Sequence, residues 1–392
     1  GTSNVRLGVN AGDSIASGGN YNVIVGDEAG TAITTGDNNV ALGFGALNDL
    51  SDGNYSTAVG SGTLSKLNAN ANFYNTALGF EAGRETTTGV QNTFVGAKAG
   101  QDQQATSDNT GIGWQALSGN VGGQNNVAVG LYALQSFTVS SGNTFNTAVG
   151  SQAGSGSSVT GVANTWLGGY AGQYATSALY TVFVGYLAGR NASSGARNVG
   201  VGVGAMENGT LGGEDNTGIG HGVLNQLAGG SNNTAVGAYA GDAINSGSEN
   251  VAVGHSALGA VTSGSHNIGI GYQAADNLQD GHTNVAIGKK SMYNTGSNMN
   301  YNVAIGGETL QETSQSSQTA VGFRALRLAT SGQHNTAIGY ESMEKQVTGN
   351  ANTCVGKYAG KEITSGEDNS CLLYTSDAAD ERSSVDLGGR RI

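Results

Sequence analysis

One five-residue string recurs along the whole chain, and it limits what the chain can fold into. Asn75-Thr76-Ala77-Leu78-Gly79 is one copy, and Asn126-Val127-Ala128-Val129-Gly130 and Asn335-Thr336-Ala337-Ile338-Gly339 are others. Aligning on the final glycine gives 21 anchors, from Gly8 to Gly356. Their mean spacing is about 17 residues, and so short a period marks a repeat architecture in which each unit stacks on its neighbours. Positions are numbered below from the anchor glycine, taken as 0.

Position −1 is Val, Ile or Leu in every copy, and position −3 is Thr, Val or Ile in every copy. Strand side chains alternate, so these two columns share a face, which is expected to be the core of each coil. Position −2 points the other way and is small, Ala in eleven copies and Gly in four. The six exceptions are Arg6, Ile24, Phe94, Trp166, Phe183 and Cys354. Two readings of this column stand: a subunit interface of varying tightness, or a plain solvent face.

Position −4 is Asn in 18 copies, with Ser56, Thr181 and Gln318 in its place elsewhere. Asn22, Asn39, Asn75, Asn92, Asn126, Asn233, Asn250 and Asn335 belong to this column. They are expected at a turn corner, bonding local backbone or each other in a ladder. A Gly three residues earlier (Gly36 before Asn39, Gly264 before Asn267) is expected to supply the positive φ of that turn. After the anchor, position +3 is Ala in 16 copies, and position +4 is Gly in nine and Leu or Met in eleven. This second apolar segment predicts a second short strand per coil. The fold class is therefore all-β: a parallel β-solenoid of 21 coils, with two short strands and about 17 residues per coil. At ~4.8 Å per strand, 20 steps predict a rod roughly 96 Å long. Extra residues near 68–73 and 136–145 are expected as polar bulges in the turns.

Composition supports this reading. Gly is 68 of 392 residues and Pro is absent, which suits a chain laddered on both sides nearly throughout. A net charge of −12 lacks the basic footprint of a nucleic-acid binder. No apolar run nears the roughly 18 residues of a membrane-spanning helix, so no membrane insertion is expected of this stretch. Two cysteines, Cys354 and Cys371, make no disulfide framework.

No catalytic, cofactor-binding or metal-binding set stands out. His221, His255, His266, His282 and His334 read as surface residues. The turn acids Asp37, Asp108, Asp215, Glu249 and Asp368 lack the spacing of calcium-binding rolls. Phe44, Phe80, Trp114, Tyr186, Tyr272, Phe323 and Tyr340 each follow an anchor glycine. They form a candidate surface-binding aromatic column, with strand-edge packing as the simpler reading.

The repeat, as in Asn-Thr-Ala-Leu-Gly-Phe-Glu-Ala-Gly-Arg-Glu-Thr-Thr-Thr-Gly (75–89), resembles the heads of trimeric autotransporter adhesins. It is more similar still to repeats of phage tail-fibre and related surface proteins. The resemblance covers 1–370 and implies a left-handed β-roll, association of three chains, and attachment to a cell or surface. The adhesin heads have a shorter period, and no neck, stalk or anchor follows here. These expectations describe a non-enzymatic rod segment of an extracellular, cell-surface or virion fibre, whose receptor is not legible. The alternatives are an adhesin whose side wall binds glycan or protein, and, ranked lower, an ice- or mineral-binding solenoid. The last needs a flat Thr array, whereas Thr here alternates with Val at a position assigned to the interior. Residues 1–370 read as one solenoid of 21 repeats and the start of a 22nd. Residues 371–392 resemble a translated sequencing adapter and are expected to be non-native, ending a fragment of environmental origin.

Overall fold

The computed structural model describes residues 3–138 and 142–372. Most of the adapter-like segment, 373–392, lies outside the described residues. The chain forms two compact units, Gly1–Glu249 and Asn250–Ile392, and both are built in the same way. Each is a parallel β-solenoid whose period matches the spacing of the anchor glycines, and no helix occurs among the described residues.

Each coil carries one three-residue strand at positions −3 to −1, from Val5–Leu7 to Thr234–Val236 in the first unit. In the second unit they run from Val251–Val253 to Ser370–Leu372. Successive strands pair in parallel with no slip: Thr147 faces Val127 and Thr165, and Val149 faces Val129 and Leu167. The repeat pattern stops at Cys371, yet the ladder holds there, with Cys371 opposite Cys354 and Leu372 opposite Val355.

Among the described residues the expected second strand is absent from the segment after the anchor, and a second short strand occurs only at Gly123–Gln124, which pairs in parallel with Gly142–Asn143. Positions +1 to +6 are turn in most coils, because positions +2 and +4 both adopt left-handed φ, as at Tyr132 (57°) and Leu134 (47°). Alternating left-handed residues stop the segment coiling into a helix. Such residues cost roughly 1–2 kcal/mol each where they are not glycine. Bonds to the next coil offset this, as Gly30 N–H donates to Ala46 O at 2.8 Å and Leu47 N–H to Thr63 O at 3.1 Å. The second wall is thus laddered without being a sheet.

The assignment of faces is reversed. Position −2 is the buried one: Ala41, Ala58, Phe94, Trp166 and Phe183 are all fully inside. Positions −3 and −1 lie on the outside, half-buried or exposed. Position −2 is small because the coil is narrow. It faces position +4, and the two columns share one volume. Large groups at −2 meet glycine at +4: a Cβ at Gly100 would lie 2.5 Å from the Phe94 ring, and one at Gly154 would lie 2.3 Å from Trp166. Where −2 is Ala or Gly, Leu or Met often fills the gap, as Leu117 does opposite Gly111 and Met206 opposite Gly200. Close packing of this kind leaves little room for independent change. Arg6 departs from the rule because it sits in the first coil, exposed, where its guanidinium donates to Gly12 O at 2.8 Å.

The anchor is glycine for two reasons. Its φ is near +130°, and a Cβ at Gly43 would lie 2.6 Å from the carbonyl of Gly60, the next anchor. The Gly before the corner Asn has the expected positive φ at Gly349 (148°) and Gly366 (140°), but at other copies its cause is different. Gly36 and Gly264 do not have positive φ. A Cβ on Gly36 would strike Gly53 O at 2.4 Å, so it is close approach that excludes side chains there. The positive φ falls instead on position −5, as at Gln91 (58°) and Tyr74 (51°). The inserted stretches also do more than bulge: Phe73 and Phe137 turn inward and are fully buried.

Candidate functional site

The Asn column lies inside each unit. Asn22, Asn39, Asn75, Asn92, Asn126, Asn233, Asn250 and Asn335 are all buried. Each side-chain oxygen accepts from the main-chain N–H of the next corner residue: Asn39 N–H to Asn22 Oδ1 at 2.9 Å, and Asn92 N–H to Asn75 Oδ1 at 2.8 Å. Seven of the eight Nδ2 groups donate to a carbonyl fourteen residues on, as Asn22 to Gly36 O and Asn250 to Gly264 O, both 2.8 Å, and Asn126 Nδ2 donates to Asn109 Oδ1 at 3.1 Å. Thr181 replaces Asn where the Trp166 indole needs an acceptor, and Nε1–H donates to Thr181 Oγ1 at 3.1 Å. These amides are consumed by the fold and face no solvent.

The outer sheet face of each unit is built from the −3 and −1 columns. No charged residue occupies position −3 or −1 in any of the 21 repeats, and eleven of the −3 residues are Thr. Leu167 is 46% exposed and Ile219 45%.

The aromatic column is also exposed, from Phe44 at 58% to Phe323 at 37%. Its rings mostly pack on neighbours one coil away. Phe323 stacks on Tyr340 with centroids 5.6 Å apart, and Tyr340 meets the edge of Tyr358 at 5.6 Å. Trp114 meets Tyr132 at 4.7 Å, Tyr186 meets Tyr170 at 5.9 Å, and Tyr272 stacks on His255 at 5.5 Å. A ring whose face is covered by another ring has less face to offer a sugar. Phe44 and Phe80 make no ring contact among the described residues.

A second exposed aromatic file was missed in the sequence. Tyr21, Tyr55, Tyr74, Phe145, Tyr180 and Tyr301 all stand at position −5 with left-handed φ. Tyr55 and Tyr74 stack at 5.1 Å with planes 7° apart. The recurring Tyr-Asn dipeptides (21–22, 74–75, 301–302) were the signal that could have found it.

Polar side chains of the turn wall bond from coil to coil. In several coils position +5 donates to position +2 of the coil before: Gln101 to Glu81 at 2.8 Å, Gln135 to Gln115 at 3.2 Å, Gln173 to Gln152 at 2.9 Å. Lys361 pairs likewise with Glu341, whose carboxyl it holds below the usual range. Burial raises Asp102 and Asp276. Hydroxyls of Ser263 and Thr262 lower Asp280, and those of Thr34 and Thr35 lower Asp52. Burial pushes the Cys354 thiol up to about 12, so it stays protonated and a poor nucleophile.

All five histidines are exposed. Among the turn acids, Asp37 accepts from Asn20 N–H at 2.6 Å and Asp215 pairs with Arg197 at 2.7 Å. Among the described residues, no group of three or more His, Cys, Asp or Glu side chains is placed to hold a metal, and no helix could cross a membrane. No protein-family model and no curated protein matches this chain. What the molecule presents is therefore surface: an uncharged sheet face, two aromatic files and a hydrogen-bonded polar wall.

Proposed function

We propose that this chain is a structural segment of an extracellular, cell-surface or virion fibre, acting as a stiff spacer that serves attachment. Copies associate, three to a fibre, through the outer sheet face. The observation behind this reading is that face: two adjacent columns free of charge in all 21 repeats. Its −1 column is Val, Ile or Leu throughout, and monomers rarely leave so long an uncharged, partly apolar strip in water. A closed symmetric assembly would bury it, and the number three follows the resemblance to fibre repeats. Light scattering on the full chain tests this. The expected mass is that of three chains, falling toward one chain in an Ile219→Lys, Ile112→Lys double variant that keeps its β-type circular dichroism. A wild-type monomer at micromolar concentration would remove self-association from the proposal.

The outward Thr column also favours a second reading, since a flat, regular Thr-bearing face is what an ice- or mineral-binding solenoid requires. Thermal hysteresis of the wild-type chain, abolished in the same double variant, would support that reading over the first. Glycan capture by the position +1 aromatics has less support, because their faces are largely taken up by each other.

A further inference from the structure

The corner ladder of the first unit fails at Ser56, and an inward-turned ring lies beside the failure. Asn39 Oδ1 accepts from Ser56 N–H at 3.0 Å, but Ser56 has no amide to pass on. Its Oγ is fully buried and bonds to nothing. The buried Asn75 N–H therefore lacks the bond that Asn92 N–H takes from Asn75 Oδ1 at 2.8 Å. Thr181 also interrupts the ladder, yet its hydroxyl is used twice, by the Trp166 indole at 3.1 Å and by Asn164 Oδ1 at 2.7 Å. The cause at Ser56 is Phe73. Where the corner is Asn, its Nδ2 lies close to the glycine three residues before, 3.3 Å from a Cβ at Gly36 and 3.1 Å from one at Gly89. At Gly53 the Phe73 ring takes that place, 2.3 Å from the Cβ position. The ring thus excludes a corner amide. Phe137, from the other inserted stretch, comes equally close to Gly123, at 2.3 Å. There Asn126 Oδ1 still receives Asn146 N–H at 3.0 Å, and the ladder passes.

We propose that residues 68–73 form a flap that opens and closes locally, with Phe73 as its plug. Two effects of similar size oppose each other in the closed form. Burial of the aromatic ring favours it, and the unpartnered Ser56 hydroxyl and Asn75 N–H disfavour it by a comparable amount. Opening carries the ring out and lets water reach both polar groups. The stretch is tied to the coil before it through Asn54. Asn54 N–H donates to Ala71 O and Phe73 N–H to Asn54 O, both at 3.0 Å, and Asn54 Nδ2 donates to Asn72 Oδ1 at 3.0 Å. On the other side, Asn68 N–H donates to Thr87 O at 3.0 Å and Gln91 N–H to Phe73 O at 2.7 Å. Residues 68–72 are half-buried or exposed, so water replaces most of these bonds at small net cost. The open form parts the ladder between the coils anchored at Gly60 and Gly79, and the first unit yields there without unfolding. The flap lies at the corner of the coil and not on the outer sheet face, so the inference does not depend on the fibre reading above.

Hydrogen exchange on the full chain, followed by NMR at single amides, tests the flap. Asn75 N–H is expected to exchange about tenfold faster than Asn92 and Asn146 N–H, the factor that corresponds to one missing hydrogen bond. Its rate should not change in urea well below the unfolding transition, because a local opening exposes little surface. Ser56→Ala removes one unpartnered group from the closed form without touching the ring. It should slow exchange at Asn75 about fivefold and leave Asn146 unchanged. Phe73→Leu, a smaller plug, should speed exchange at Asn75. An Asn75 rate equal to that of Asn92, or one that rises with urea as Asn92 does, overturns the flap. So does a fast rate that Ser56→Ala leaves unchanged, since an N–H exposed with the ring in place would not respond to the hydroxyl.

Discussion

A single asparagine side chain ties three coils together. Asn267 Oδ1 accepts from Asn284 N–H at 3.0 Å, and its Nδ2 donates to Gly281 O at 2.7 Å and to Asn250 Oδ1 at 3.1 Å. Asn267→Ala leaves a buried N–H and a buried carbonyl without partners, each costing about 1–3 kcal/mol. The expected loss is therefore about 2–4 kcal/mol, read as a lower thermal midpoint with faster amide exchange at Asn284. A loss smaller than the about 0.5 kcal/mol that even a weak hydrogen bond contributes would show the ladder to be ornamental. Asn267→Asp keeps an acceptor for Asn284 N–H but gives up both donations. Burial raises that carboxyl's folded-state pKa above its unfolded value. Its stability is then greatest at low pH and declines as pH rises through the raised pKa.

At the scale of one coil, stability comes from volume shared between the strand and the turn wall. Phe94 fills the space left open by Gly83 and Gly100. Phe94→Ala should cost about 3–5 kcal/mol by opening a cavity. Gly100→Leu should be strongly destabilising by collision, although Leu is the residue found at that position and φ in Leu117. Made together, the two changes should cost less than the sum of their separate losses. A double-mutant cycle should show coupling of about 1–3 kcal/mol in the favourable direction. Additive losses would mean that the two columns do not share a volume. The same sharing explains why Trp166 and Phe183 sit among alanines: each is matched by Gly172 or Gly189 across the coil.

At the scale of the molecule, no single core exists, and each coil answers only to its neighbours. Removing one whole coil, residues 267–283, should therefore leave a folded chain. Ala252 and Leu258 would then stack against Ala286 and Met292, residues of matching size. Circular dichroism should keep its β character, and unfolding should stay cooperative. A molten or aggregating product would show dependence beyond nearest neighbours. The strand positions, their register and the corner column were all legible in the sequence, because each needs one residue type at one spacing. The second wall was not. Its left-handed residues at +2 and +4 include Glu, Lys, Tyr, Leu and Met, and nothing in those side chains announces their φ.

The anchor string alone determined that the chain winds back on itself once per anchor, since only stacking makes equivalent residues recur with no slip. Alternation along a strand separates two faces but does not say which one is inside. Hydrophobicity favoured the Val and Leu columns for the interior, yet only the folded coil showed a cross-section too narrow for both columns. Alanine lines the inside for that reason, and the larger apolar residues stand outside.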